Sequence, residues 1–196
     1  YLCIAGELAA VICIFDPLRA EAKDAIRALH ACGISKVVMM TGDNRRTAAS
    51  VAEEVGVDEF YAEVLPEDKA AFIRREKAVG RTVIMIGDGV NDSPALSEAD
   101  AGVAISTGAA IAREIADITI ASEDLFELVT LRRISEALMG RIHRNYRFIV
   151  GFNLGLIVFG VAGLLPPTTS ALLHNASTLA ISLKSMTNLL PDKKKI

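Results

Sequence analysis

The run Phe148–Leu165 carries no charged residue and follows directly on a stretch dense in arginine. As a helix it reaches roughly 27 Å at about 1.5 Å per residue, enough to cross a hydrocarbon core. Asn153 is its single strongly polar side chain. Pro166-Pro167 then breaks the helix, and Thr168–Leu190 forms a second, less apolar span containing His174, Asn175 and Lys184. Arginines precede the first span, and Lys193, Lys194 and Lys195 follow the second. Basic flanks stay on the cytoplasmic side, so the pattern predicts a hairpin in the cell membrane with its Pro-Pro turn outside. The competing reading is a buried helical hairpin of a soluble protein.

The segment before the hairpin is also helical by pattern. Leu125, Leu128, Leu131, Ile134, Leu138 and Ile142 recur at spacings of three or four, with Arg132, Arg133, Arg141, Arg144 and Arg147 between them. That is a long amphipathic helix. Residues 1–123 behave differently. Ala9–Phe15 is apolar and rich in Val and Ile, which suggests a buried strand, and Pro17 suits the first turn of a helix running through Ala20–Ala31. Strand and helix then alternate through Lys36–Met40, Asn44–Val55, Phe60–Val64, Glu67–Val79, Thr82–Ile86, Pro94–Ala99, Gly102–Ile105, Ala109–Ala116 and Ile118–Ile120. This rhythm predicts an α/β domain: a Rossmann-like parallel sheet with helices on both faces. The domain plan is therefore an α/β domain over 1–123, a connecting helix over 124–147, a hairpin over 148–190 and a basic tail over 191–196.

Composition narrows the function. The 196 residues carry a formal net charge of -3 and no Trp, which argues against nucleic acid as a partner. Cys3, Cys13 and Cys32 form no Cys-x-x-Cys pair, so a disulfide framework is not expected. Tyr1-Leu2-Cys3 lacks the basic start of a secretory signal, and the opening suggests a portion of a longer chain.

In a parallel sheet, functional groups gather where strands end and loops begin. Three motifs fall there. Thr41-Gly42-Asp43 ends a strand and opens a helix, so its hydroxyl and backbone N–H groups can grip phosphate oxygens. The ordinary alternative is a turn with Asp43 as helix cap. Gly87-Asp88-Gly89-Val90-Asn91-Asp92-Ser93-Pro94 places two carboxylates near one point with Asn91 between them. Magnesium takes oxygen ligands and usually one or two protein carboxylates plus phosphate, which suits Asp88 and Asp92. Pro66-Glu67-Asp68-Lys69 opens a helix, and a lysine there is poorly placed for the helix dipole. It makes sense if Lys69 faces a phosphoryl group. Amides, a hydroxyl, a cation and a metal-binding acid pair are the parts that phosphoryl transfer uses.

Asp16-Pro17-Leu18-Arg19, Thr41-Gly42-Asp43, Pro66-Glu67-Asp68-Lys69 and Gly87–Pro94 stand in the order found in P-type ATPases, ion pumps of the haloacid-dehalogenase superfamily, and the chain resembles that family throughout. The terminal hairpin after a long helix is similar to the heavy-metal-transporting branch. The resemblance implies a haloacid-dehalogenase-like fold that works with Mg²⁺ and ATP. It implies that Asp88 and Asp92 serve the Mg²⁺, with Asn91 and Gly89 in support. Thr41 and Gly42 would hold the phosphoryl oxygens with Asp43 in the same loop, Lys69 would neutralise their charge, and Asp16 and Arg19 would lie at the hinge toward the nucleotide. The family's phosphorylated Asp-Lys-Thr-Gly-Thr aspartate does not occur in these residues. The expected role is therefore the C-terminal portion of a transition-metal pump, inactive without the upstream part of the same pump. His174, Ser177 and Thr178 resemble a membrane element of some divalent-cation pumps and are candidates for the transported cation, with Zn, Cd, Co or Mn favoured. A copper(I) pump, a soluble haloacid-dehalogenase-like phosphatase and a non-catalytic membrane-anchored remnant are the alternatives.

Overall fold

The computed structural model describes residues 2–11, 17–87, 91–105, 114–121 and 124–190. It divides into one unit over Tyr1–Glu127 and another over Leu128–Ile196. The first opens with an antiparallel hairpin, β1 (Leu2–Ile4) and β2 (Glu7–Ala10), turned at Ala5 and Gly6, both with positive φ. Two successive left-handed residues match the twist of such strands. This corrects the expectation for Ala9–Phe15: its described start is an exposed strand of a hairpin, while 12–15 lie outside the described residues. Pro17 is also displaced from its expected place, because the next helix, α1, runs only from Ala22 to Ala31.

The alternating elements follow. β3 (Val38–Met40) leads to α2 (Arg45–Val55), β4 (Glu59–Tyr61), α3 (Pro66–Ala78), β5 (Ile84–Gly87), α4 (Ser93–Glu98), β6 (Ala101–Ile105) and β7 (Ile118–Ile120). β3 pairs with β4 in parallel, and β5-β6-β7 form a parallel three-stranded sheet. Among the described residues these are separate sheets rather than the single sheet expected. Most of the expected Ala109–Ala116 helix lies outside the described residues.

Local chemistry explains the boundaries. Asn44, not Asp43, caps α2: its Oδ1 accepts from Thr47 N at 3.0 Å. Gly56 ends that helix in the left-handed conformation, φ 78°. Pro66 occupies the first turn of α3, where its missing N–H costs nothing. Small side chains then allow close packing. Ala48, Ala52, Ala70, Ala95 and Ala104 are buried with Phe72, Ile73, Leu96 and Val103. Burial of Ile73 alone contributes about 2–3 kcal/mol. Gly102 passes so near α4 that a Cβ there would lie 2.7 Å from the Leu96 carbonyl oxygen.

In the second unit the amphipathic helix and the first expected span are not separate elements. They form one helix, α5 (Phe126–Val161, 36 residues). It ends four residues before Leu165, at a turn in which Gly163 takes φ 72°. Its uncharged part, Phe148–Val161, is therefore roughly 21 Å long at about 1.5 Å per residue. α6 (Pro167–Ser185) also stops short of the expected Leu190. No helix among the described residues is long and apolar enough to cross a membrane. Hydrogen bonds join Asn153 to His174, Asn145 to Ser185 and Arg141 to the backbone of Ser185, so the two helices run antiparallel.

Candidate functional site

Thr41-Gly42-Asp43 follows the end of β3, Pro66–Lys69 opens α3 and Gly87 ends β5, and hydrogen bonds link these segments in series. Thr41 leaves β3 with its N–H donating to Tyr61 O at 3.0 Å. Its hydroxyl donates to Asp43 Oδ2 at 2.8 Å and accepts from Asp43 N at 3.1 Å. The side chain of Asp43 thus closes the Thr41-Gly42-Asp43 turn rather than capping α2. The segment opposite is bonded to the same turn. Glu63 N donates to Asp43 O at 2.9 Å, and Val64 N donates to Thr41 O at 3.0 Å. Glu63 has φ 57°, a conformation that non-glycine residues adopt only when neighbouring contacts hold it.

Two residues beyond Val64 the chain enters α3. Its first turn carries Glu67 and Asp68, and the Asp68 carboxylate accepts from Leu65 N at 3.3 Å. Lys69 follows and turns inward. Its Nζ donates to Asp92 Oδ1 at 2.7 Å, with the side chains only 15% and 12% exposed. Asp92 is the buried charged residue among the described residues. It stands at the N-cap position of α4 yet makes no capping hydrogen bond with its side chain. The expectation for Lys69 was a phosphoryl group; what faces it here is a carboxylate.

Gly87 has a steric role beyond flexibility. A Cβ placed there would lie 2.5 Å from Asp92 Oδ2 and 2.8 Å from Asp92 Cβ. Only glycine leaves room for the carboxylate against the end of β5. Gly87→Ala is expected to displace Asp92 and cost about 1–3 kcal/mol; a thermal melt equal to that of the parent chain would refute the packing.

Farther along, ion pairs hold α3 to the chain around α4. Arg74 meets Glu98 at 3.1 Å, and Lys77 meets Asp100 at 3.3 Å. The backbone N–H of Val83 donates to Asp100 at 2.8 Å, and that bond, with Lys77, holds the Asp100 carboxyl below the usual range. The loop between β5 and α4 is thus bracketed by fixed elements.

The remaining candidates are placed as follows. Asn91 is exposed beside Asp92, and Gly42 lies next to the Val64 carbonyl. Asp16, Asp88 and Gly89 lie outside the described residues. Arg19 lines a wide cavity of about 520 Å³ with Glu21, Asp124 and Phe126, apart from the series of contacts just described. In the other unit, His174 Nδ1 is 2.8 Å from Asn153 Oδ1, and the hydroxyls of Ser177 and Thr178 both donate to the His174 carbonyl. Asn153 had stood out in the sequence as a lone polar residue, but nothing in the pattern linked it to His174. Among the described residues no three His, Cys, Asp or Glu side chains cluster as a metal site.

Comparison with known proteins gives this geometry a context. The model of the haloacid dehalogenase-like hydrolase family matches residues 2–100. The copper-transporting ATPase 2 of Rhizobium meliloti (strain 1021) is 46% identical over 173 residues, 88% of this chain and 21% of the relative. A manganese-exporting P-type ATPase of Mycobacterium bovis is 40% identical over 181 residues, 92% of this chain and 25% of the relative. The chain therefore spans about a quarter or less of the length of these curated relatives. A crystal structure of a zinc-transporting PIB-type ATPase in its E2.Pi state superposes with a TM-score of 0.81 at 33% identity, covering 87% of this chain and 28% of that one. The chain belongs to the haloacid dehalogenase-like hydrolase family, and its relatives there are heavy-metal P-type ATPases.

Proposed function

We propose that this chain is the C-terminal portion of an ATP-driven transition-metal cation pump. It supplies the Mg²⁺ and phosphate-binding side of an aspartyl-phosphate site, together with the last two membrane helices. The observation that carries this reading is the buried Lys69–Asp92 pair, seated against Gly87 at the end of β5. A charged pair removed from water costs free energy, and such pairs recur where a site must hold developing charge.

The residue chemistry fits a magnesium ion. Asp88, Asn91 and Asp92 offer oxygen donors only, and Lys69 engages just one oxygen of Asp92. Asp88 would be the principal ligand, with Asp92, Asn91 and the Gly89 backbone in support. When bound, the ion would neutralise charge on the phosphate oxygens. The protein's own groups do the positioning. Thr41 and the Gly42 amide would hold the phosphoryl oxygens, Asp43 steadies Thr41 through both its carboxylate and its N–H, and Lys69 sets the orientation of Asp92. Asp16 and Arg19 would serve the hinge toward the nucleotide. The nucleophilic aspartate would come from the upstream part of the same pump.

The membrane reading draws support from exposure. Leu154, Ile157 and Val161 of α5 are 59%, 62% and 86% exposed, and Leu172 and Leu179 of α6 are similarly bare. Side chains of that kind need lipid or further helices around them. The α/β unit would then stand on the cytoplasmic side. A divalent cation is favoured because α6 offers an imidazole and hydroxyls at His174, Ser177 and Thr178, while sulfur comes only from Met186 just beyond it.

The test is Asp88→Asn in the complete pump, joined to an upstream region carrying the Asp-Lys-Thr-Gly-Thr aspartate. Phosphoenzyme formed from labelled ATP should fall by about 100-fold or more. A variant that keeps the full phosphoenzyme level would defeat the Mg²⁺ assignment.

A further inference from the structure

Two polar side chains meet within the apolar part of the hairpin. Asn153 lies roughly 8 Å past Phe148 along α5, at about 1.5 Å per residue. It is half-buried, and its Oδ1 stands 2.8 Å from Nδ1 of His174 on α6. An amide oxygen has no proton to give, so the ring nitrogen is the donor and Oδ1 the acceptor. With Nδ1 protonated, a neutral imidazole carries its lone pair on Nε2. Nε2 has no hydrogen-bond partner among the described residues, and the His174 side chain is exposed. The neighbouring hydroxyls are committed in the same sense. Ser177 Oγ and Thr178 Oγ1 donate to the His174 carbonyl at 2.8 Å and 3.0 Å. Their protons are spent within α6, and lone pairs are what their oxygens keep. The three groups on this turn of α6 therefore offer electron pairs rather than protons.

We propose that Asn153 is a positioning residue for the transported cation: it fixes the His174 ring and its tautomer, so that Nε2 is the ligand atom offered to a divalent transition metal. The inference rests on the divalent-cation reading of α6 given above. A histidine that binds a metal through one ring nitrogen donates its other N–H to an oxygen acceptor, which orients the ring and keeps the ligating nitrogen free of a proton. Asn153 supplies that acceptor from the neighbouring helix. Its Oδ1 is spent on the ring N–H, so Asn153 acts through His174 and not as a ligand. The competing role is a bond that only joins two helices, as polar pairs in hydrocarbon do. The hairpin already has bonds of that kind from Asn145 and Arg141. The Asn153 bond differs from them in leaving an exposed imidazole with one nitrogen open.

The experiment uses the complete pump, joined to its upstream part and held in lipid nanodiscs. It measures Zn²⁺ affinity together with the nitrogen NMR spectrum of labelled histidine rings, His174 being assigned by difference from His174→Gln. Before metal is added, His174 should carry its proton on Nδ1 and none on Nε2. Addition of Zn²⁺ should then shift the Nε2 resonance. Asn153→Leu should release the tautomer and weaken Zn²⁺ binding by about 10–100-fold. Asn153→Asp accepts the same bond, so it should keep the tautomer and recover most of the affinity, which separates lost orientation from lost folding. A parent pump whose His174 carries its proton on Nε2 before metal is added overturns the proposal. So does an Asn153→Leu variant with parental Zn²⁺ affinity, which would make the bond one of helix packing alone. In both cases a His174 ring that still responds to Zn²⁺ leaves the cation reading standing. A parent pump in which Zn²⁺ leaves the His174 resonances unmoved overturns the cation reading of α6 and the proposal with it.

Discussion

Lys69→Ala should destabilise the α/β unit by about 3 kcal/mol, because it leaves the Asp92 carboxylate buried without its partner. Asp92 is 9% exposed and Nζ of Lys69 lies 2.7 Å from it. Gly87 closes the other side, so the carboxylate cannot swing toward β5 to reach water. In a unit of this size the loss corresponds to a fall of roughly 10 °C in Tm. Stability and function should then separate. Replacing both partners, Lys69→Met with Asp92→Leu, removes the two charges together and should regain most of the lost stability. In the complete pump the same double variant should remain defective in forming phosphoenzyme, since an apolar pair of similar size holds neither phosphate nor metal. Thermal melts of the two single variants and the double variant form the cycle that measures the coupling. Additive losses would mean that the pair is not energetically coupled. A double variant with full phosphoenzyme would show that the pair is structural alone.

The order of these parts was legible from the sequence, and their geometry was not. Alternating strand and helix, Gly56 after a helical run and Pro66 at a helix start act over a few residues, so pattern suffices to place them. The strand Ile118–Ile120 and the end of α2 at Val55 fall where the periodicity puts them. Contacts across sequence distance are another matter. Asp92 lies 23 residues from Lys69, and no local rule pairs them. Gly87 reads as turn flexibility until the approach of Asp92 shows what its missing Cβ makes room for. Asn44 and Asp43 are both good caps by type, and only the hydrogen bonds separate their tasks: one caps α2, the other closes on Thr41. The hairpin was misdivided for a similar reason. Hydropathy changes at Phe148, but the backbone does not, so α5 continues through the change to Val161, just before the turn at Gly163.

Arg141 is the residue that closes the lower end of that hairpin, and Arg141→Ala should release it. Its Nη1 donates to Ser185 O at 2.9 Å and Thr187 O at 2.7 Å, while Nη2 donates to Asn188 O at 2.9 Å. These carbonyls lie at and beyond the C-terminal end of α6, where the helix leaves acceptors unpaired and its dipole favours a cation. One fork from α5 thus supplies what the end of α6 lacks, and Asn145 adds a bond to Ser185 Oγ at 3.0 Å. The site is open enough that the charge-assisted bonds retain only part of their strength, so the expected loss is about 2 kcal/mol. Amides near Leu183–Asn188 should then exchange with deuterium about thirtyfold faster in detergent or lipid. Arg141→Lys should recover less than half of the protection, because an ammonium is a point charge and cannot span three carbonyls as a planar fork does. Asn145→Ala, which removes one neutral bond, should change exchange only a few-fold. Unaltered exchange in Arg141→Ala would mean that packing between the helices, and not this fork, holds the end of α6 in place.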